Sequence, residues 1–317
     1  MTVEIITPRE VPLGGPRAMT VRRTLPTKQR SLIGAWCFAD HYGPDDVGLS
    51  GGMDVPPHPH TGLQTVSWLF TGEIEHRDSI GSHAMVHPGE LNLMTAGRGI
   101  SHSEVSTPDT RILHGMQLWV ALPGHARFTS PNFENYVPES ISIPGATVRV
   151  FLGSLVGDTS SVETFTPLLG AEIIVDAGAS IEFDVDSTFE HGIIVDEGNL
   201  NLEGSPLVRA ELGYLAPGRS SIALRNTGEK PARLLLLGGP PFGEQVVMWW
   251  NFMGRTHEDI EAYRAAWQSG LTRTGSEPAG NSEAAGSEQF GTVEGYSRPG
   301  FMLPAPELPN TRLRPRS

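Results

Sequence analysis

A single cysteine in 317 residues leaves nothing from which to build a disulfide framework. That residue, Cys37, lies in the apolar run Ala35-Trp36-Cys37-Phe38, where a buried structural thiol is expected and sulfur ligation of a metal is not. Cations are also scarce, with 23 Lys and Arg against 36 Asp and Glu for a formal net charge of −13. A deficit of that size, with no basic stripe to offset it, argues against a chain whose main task is to coat nucleic acid or an anionic membrane. No stretch approaches the ~20 consecutive apolar residues that span a bilayer. The opening MTVEIITPREVPLGG lacks a basic region followed by an apolar run, so the chain reads as cytoplasmic.

What is abundant is punctuation. Thirty-seven glycines and 26 prolines among 38% hydrophobic residues predict short strands joined by many turns, and the length accommodates two domains. Residues 1–30 carry short β-like pieces (Val3–Ile6, Met19–Val21), and Ser31–His41 is an apolar run leading into HYGPDD, a strong turn signal. Val66, Trp68 and Phe70 alternate with Thr65, Ser67 and Leu69 before Thr71-Gly72-Glu73, as in a buried strand ending in a turn. In LHGMQLWVAL, His114 shares a strand face with Met116, Leu118 and Val120; it is either an outer partner of a ligand or, as preferred, an ordinary core or rim histidine. PGHARFTSPNFENY (123–136) reads as a loop leading out of the first domain.

A second β-rich half begins near Ala146 and echoes the first: TGEIE (71–75) compares with EGNLNL (197–202), and GELNLMTAG (89–97) with ELGYLAPGR (211–219). Residues 256–270 predict a helix, with Thr256 and Asp259 as a capping box, Ile260, Tyr263 and Trp267 on one face, and Gly270 as its stop. The expected organisation is a first domain over 1–140, a second over 141–272, and a disordered Ser-, Gly-, Pro- and Glu-rich tail over 273–317, whose end RLRPRS reads as solvated.

The chemistry concentrates between PPHPHTG and TAGRGISHSEV. His58 and His60 are two apart, as are His102 and Glu104, and alternate residues of a strand project to one face. Pro59 between the first two histidines forbids a helix interior and suits a strand start or edge. One such pair is weak evidence, because histidines also occupy polar rims; the chain has 11 of them, and His76, His83 and His87 are expected in turns or on the surface. The second pair at matching spacing makes a metal site the preferred reading. Three imidazoles and a carboxylate without thiolate suit a first-row divalent ion better than calcium or magnesium, and a structural zinc site would more usually include cysteines.

PPHPHTGLQTVSWLFTGEIEHRDSIGS and GELNLMTAGRGISHSEV, with LIGAWCFADHYGP upstream and FGEQVVMWWNFM downstream, resemble the pirin family of the cupin superfamily over roughly residues 20–270. The resemblance implies an all-β bicupin, two antiparallel β-barrels of jelly-roll type with a short C-terminal helix. It also implies one metal ion on His58, His60, His102 and Glu104, Fe(II) first and Ni, Cu, Mn, Co or Zn as alternatives. Thr61, Leu63 and Gln64 stand where the family commonly has Arg, Phe and Glu, and because they flank the site they bear on substrate preference. Aligning the turns of the halves places Asp184, Asp186, Ala223 and Arg225 opposite the four ligands, and an arginine cannot ligate a cation, so the second half is expected to lack a metal.

By the same resemblance the activity is quercetin 2,3-dioxygenase: a flavonol or other small aromatic substrate gives its 3-hydroxyl proton to the catalytic carboxylate Glu104, and dioxygen attacks the activated ring. The alternative is a non-enzymatic regulator whose metal oxidation state controls binding to a protein partner. An enzyme needs an open pocket leading to the metal; a regulator needs a charged or apolar patch near it.

Overall fold

The computed structural model describes residues 2–13, 19–274, 289–297 and 301–317. The echo between the halves is a repeat of topology. In the first half a seven-stranded antiparallel sheet runs in the order Asn132–Tyr136, Leu91–Thr95, Leu63–Thr71, Ile112–Ala121, Trp36–Asp46, Thr20–Leu25, Arg9–Pro12. A four-stranded sheet of Asp54–His60, Ile100–Ser106, Ile74–Asp78 and His83–Val86 packs against it. The second half repeats both, with Leu212–Leu215, Glu190–Glu197, Ala232–Gly239, Leu169–Val175 and Ala146–Leu152 in its large sheet and Ser180–Asp184, Ser221–Asn226, Leu200–Leu202 and Ser205–Leu207 in its small one. This is the all-β bicupin expected, with one correction: each half is a pair of packed open sheets, not a closed barrel.

Alternation explains how the halves join. On Leu63–Thr71, the side chains of Val66, Trp68 and Phe70 enter a core shared with Phe151, Ile194, Leu235 and Leu237 of the second half. Those of Thr65 and Ser67 point the other way, into the first half, and are buried there. The large sheets therefore pack back to back across an apolar interface, which favours a fixed arrangement of the halves. Polar bonds cross it too: the Trp68 indole N–H donates to Glu172 (2.8 Å), and the Trp36 indole N–H reaches the carbonyls of Leu169 and Gly238 (3.2 Å each). His41 and His114 both place Nε2 against Asp196 Oδ1 (2.7 and 2.6 Å), whose other oxygen accepts from Arg233 Nε (2.6 Å). The first residues cross over as well, since Glu4–Ile6 pairs with Leu212–Leu215 of the second half.

Four local expectations differ from the structure. The strand Trp36–Asp46 runs on through HYGPDD, with Gly43 at φ 76° and a register irregularity opposite His114 absorbing the bend; pairing to Ile112–Ala121 overrides the turn residues. The end of the expected loop 123–136, Asn132–Tyr136, is an edge strand. The helix spans His257–Thr274; its capping box is present, Asp259 N–H donating to Thr256 Oγ1 and Thr256 N–H to Asp259 Oδ2, both at 3.1 Å, but Gly270 does not stop it. The described part of the expected disordered tail is packed: Phe290 and Ala305 are buried in a small core with Ile260, Tyr263 and Trp267, and Arg316 exchanges two backbone bonds of 2.8 Å with Val246. Residues 275–288 and 298–300 of that tail lie outside the described residues.

Candidate metal centre

Strands Asp54–His60 and Ile100–Ser106 pair antiparallel, His102 opposite His58 and Ile100 opposite His60, with a register shift before Glu104. Asp54–His60 is the outer strand of its sheet, one of the settings that suit Pro59. Burial is nearly complete at all four positions: His58 and Glu104 are 6% exposed, His60 and His102 1%. Ring nitrogens of His58, His60 and His102 all lie within 4.8 Å of one another, and a second group of that span joins Glu104 with His102 and His76.

The hydrogen bonds determine which nitrogens carry protons. His58 Nδ1 is 2.8 Å from the Pro56 carbonyl and His60 Nδ1 3.2 Å from that of Asn251; a carbonyl only accepts, so both Nδ1 atoms are protonated and both Nε2 lone pairs are bare. His76 Nε2–H donates to Asp78 Oδ2 (3.3 Å), leaving His76 Nδ1 as acceptor for His102 Nδ1–H, a long contact of 3.5 Å. That tautomer bares His102 Nε2, which faces His60 Nε2 at 3.1 Å. Two lone pairs so close repel unless a proton or a cation lies between them, and outward N–H groups held by acceptors are the usual support of metal-ligating imidazoles.

Electrostatics points the same way. Burial pushes the His58 pKa down to about 4 and those of His60 and His102 well below the usual imidazole value, with their histidine neighbours adding to the effect. Neutral imidazole is the ligating form. Burial raises the Glu104 pKa, and its carboxylate accepts from Ser67 Oγ (3.0 Å); the same hydroxyl lies 2.9 Å from Gln117 Oε1, and its one proton serves one of them at a time. The donor set of nitrogens and one carboxylate fits a divalent first-row ion. Cys37 takes no part: its thiol is buried, with its pKa pushed up by burial, and faces the Trp119 carbonyl at 3.4 Å.

A cavity of about 290 Å³ reaches all four side chains and is walled also by Gln117, Trp119, Trp250 and Leu303. That is near the low end of the ~300–1,000 Å³ typical of ligand pockets. Trp119 stacks on Phe38 with centroids 4.0 Å apart. Arg23 lies 4.3 Å over Phe38 but is neutralised by Asp40 through two bonds of 2.6 and 2.7 Å.

Three histidine expectations can now be placed. His83 and His87 are exposed, bonded to Glu75 and Glu73. His76 is not a turn or surface residue: it is 3% exposed, stacks on Phe133 at 4.5 Å and abuts His102. Its spacing to Asp78 repeats that of His58 to His60, a signal available in the sequence. His114 belongs to the interface between halves, where Asp196 is its partner, which is the ordinary buried histidine preferred above. Leu303 had no signal in the sequence, and Asn251 only its place in the downstream motif FGEQVVMWWNFM; both reach the site from far along the chain.

The second half corrects the turn alignment. Asp184 and Asp186 are exposed; Ala223 lies opposite Glu182, and Arg225 opposite Ser180. The inward positions of these two strands are Ile181, Phe183, Ile222 and Leu224, members of an apolar core. Among the described residues, no group of three potential donors lies wholly within this half.

Comparison with known proteins gives two family matches, Pirin over residues 18–120 and the pirin C-terminal cupin domain over 170–273. A Pseudomonas aeruginosa protein named "Putative quercetin 2,3-dioxygenase" is 42% identical over 275 residues, covering 85% of each chain. Human pirin is 31% identical over 76% of this chain and 83% of its own. The crystal structure of quercetin 2,3-dioxygenase from Acinetobacter baumannii superposes with a TM-score of 0.88 at 33% identity, over 99% of this chain and 97% of the other.

Proposed function

The chain belongs to the pirin family, and on that premise we propose that its first half holds one divalent metal ion on His58, His60, His102 and Glu104 and uses it as a flavonol dioxygenase of quercetin 2,3-dioxygenase type. The observation that carries this reading is the convergence of bare imidazole lone pairs beside a buried carboxylate in the lining of a cavity. These four side chains would hold the ion, and a bound ion would supply Lewis-acid polarisation of a substrate oxygen. Fe(II) is the first choice, and Ni, Cu, Mn, Co and Zn are the alternatives.

The protein groups do the rest. Glu104 accepts the proton of the substrate's 3-hydroxyl; burial raises its proton affinity, and a base in contact with the substrate oxygen meets the reach that general-base catalysis needs. Ser67 positions that carboxylate, and Trp119 offers an aromatic wall. The names of the P. aeruginosa and A. baumannii relatives support the substrate class. An open cavity at the ligands is what an enzyme needs and a docking regulator does not.

The test is metal analysis of untagged protein followed by loss of quercetin's visible absorbance, with and without oxygen. Oxygen-dependent decay is expected. Metal-loaded protein that leaves quercetin untouched in air would remove the dioxygenase reading and favour a regulator that binds a protein partner according to the metal's oxidation state.

A further inference from the structure

The carboxy-terminal segment lies beyond both family-matched regions, yet it reaches the cavity. Its residues 301–317, with Pro304, Pro306 and Pro309, run as a strap outside any helix or named strand, and it is fastened along its length. Leu303 N–H donates to the Pro57 carbonyl (2.8 Å), one residue before His58, and the Leu303 carbonyl accepts from the Trp267 indole N–H (2.9 Å). Ala305 N–H donates to Gln268 Oε1 (2.8 Å), and Arg264 Nε donates to the Pro306 carbonyl (2.6 Å). The backbone of Leu303 is thus clamped on one side by the ligand-bearing strand and on the other by the helix, and the residue lines the cavity.

Beside it stands Trp250, at the tip of the hairpin Val247–Trp249/Phe252–Gly254, with φ 52°, a left-handed conformation that is strained for a bulky residue. The hairpin is seated by Met253 N–H donating to the Thr61 carbonyl (3.1 Å). Gly62, at φ 67°, permits that approach, because an added Cβ would lie 2.4 Å from the Met253 carbonyl oxygen. With Trp119, Trp250 and Leu303 in its lining, the cavity accommodates a ligand's flat apolar face better than a polar one.

We propose that Leu303, held by the strap, is a specificity-determining wall of the metal pocket, selecting aromatic over small inorganic ligands. The inference rests on the metal reading above but not on turnover. The experiment uses full-length protein loaded with Fe(III), titrated spectroscopically with 4-nitrocatechol as aromatic probe and azide as small probe. Leu303→Ala should weaken 4-nitrocatechol by about tenfold or more, the scale of lost apolar contact in a pocket, and leave metal content and azide affinity unchanged. Leu303→Met should restore catechol binding, and Leu303→Trp should block it while still admitting azide. If both probes weaken together, or neither moves, Leu303 is not a ligand wall. A chain that takes up no metal overturns the metal reading and this inference with it. Intact probe selectivity in protein that does not consume quercetin leaves this inference standing and removes only the dioxygenase.

Discussion

At the scale of the residue, Glu104 is both a ligand candidate and the group asked to take a proton. Glu104→Gln keeps an oxygen for the ion but no basicity, so turnover should fall by ~10²–10⁴-fold with metal content retained; equal loss of metal and activity would reduce Glu104 to a ligand. His60→Ala removes a nitrogen donor, and activity should be lost in proportion to metal. His191 offers a test outside the site. It is fully buried with neither ring nitrogen bonded among the described residues, and burial lowers its pKa from 6.5 to about 4. Above pH 6.5 both folded and unfolded chains carry it neutral. Between 6.5 and about 4 only the unfolded chain takes the proton, so stability falls as the pH drops through that window, by roughly 1.4 kcal/mol per unit. His191→Leu should flatten the acid limb of a denaturation-against-pH curve, and an unchanged limb would show that this imidazole is not the source. His41, lowered to about 4 mainly by burial, acts in the same direction and should leave a residual slope.

At the scale of the element, the helix His257–Thr274 is the frame on which the strap is stretched. Its reciprocal cap is worth about 1 kcal/mol, so Thr256→Ala should lower unfolding stability by that amount while leaving metal content alone. A drop in metal content on this substitution would mean that the helix start controls the centre directly. Ile260, Tyr263 and Trp267 are buried and Leu271, just after Gly270, packs against the same core, so apolar packing on both sides of Gly270 outweighs a penalty of roughly 1 kcal/mol for glycine in a helix.

At the scale of the whole molecule, the same sandwich is built twice and filled differently. The first half carries polar donors at the inward positions of its small sheet, whereas the second carries Ile181, Phe183, Ile222 and Leu224. Metal content should therefore be one equivalent per chain. The cluster of His41, His114 and Asp196 at the interface is already occupied electrostatically, because Arg233 binds Asp196 at 2.6 Å and a further cation there would be repelled. A second equivalent that survives His58→Ala and vanishes in Asp196→Asn would locate a metal in that cluster and overturn this prediction.

The sequence by itself determined what depends on short separations. The i, i+2 spacing of His58 with His60 and of His102 with Glu104 sends both members of a pair to one face of a strand; Pro59 restricts its segment to a strand start or edge; and Thr256 with Asp259 sets the helix start. Tertiary structure decided whatever depends on which distant segments meet. It distinguished buried His76 from exposed His83 and His87, turned His114 towards Asp196, and brought Asn251 and Leu303 to the site. It also showed that the turn alignment had chosen outward residues in the second half, because side chains alternate along a strand and a slip of one position exchanges the two faces. The tail composition suggested disorder for the same reason: no periodic face is visible along it, while Phe290 and Leu303 find their partners on a helix and a strand far away in the chain.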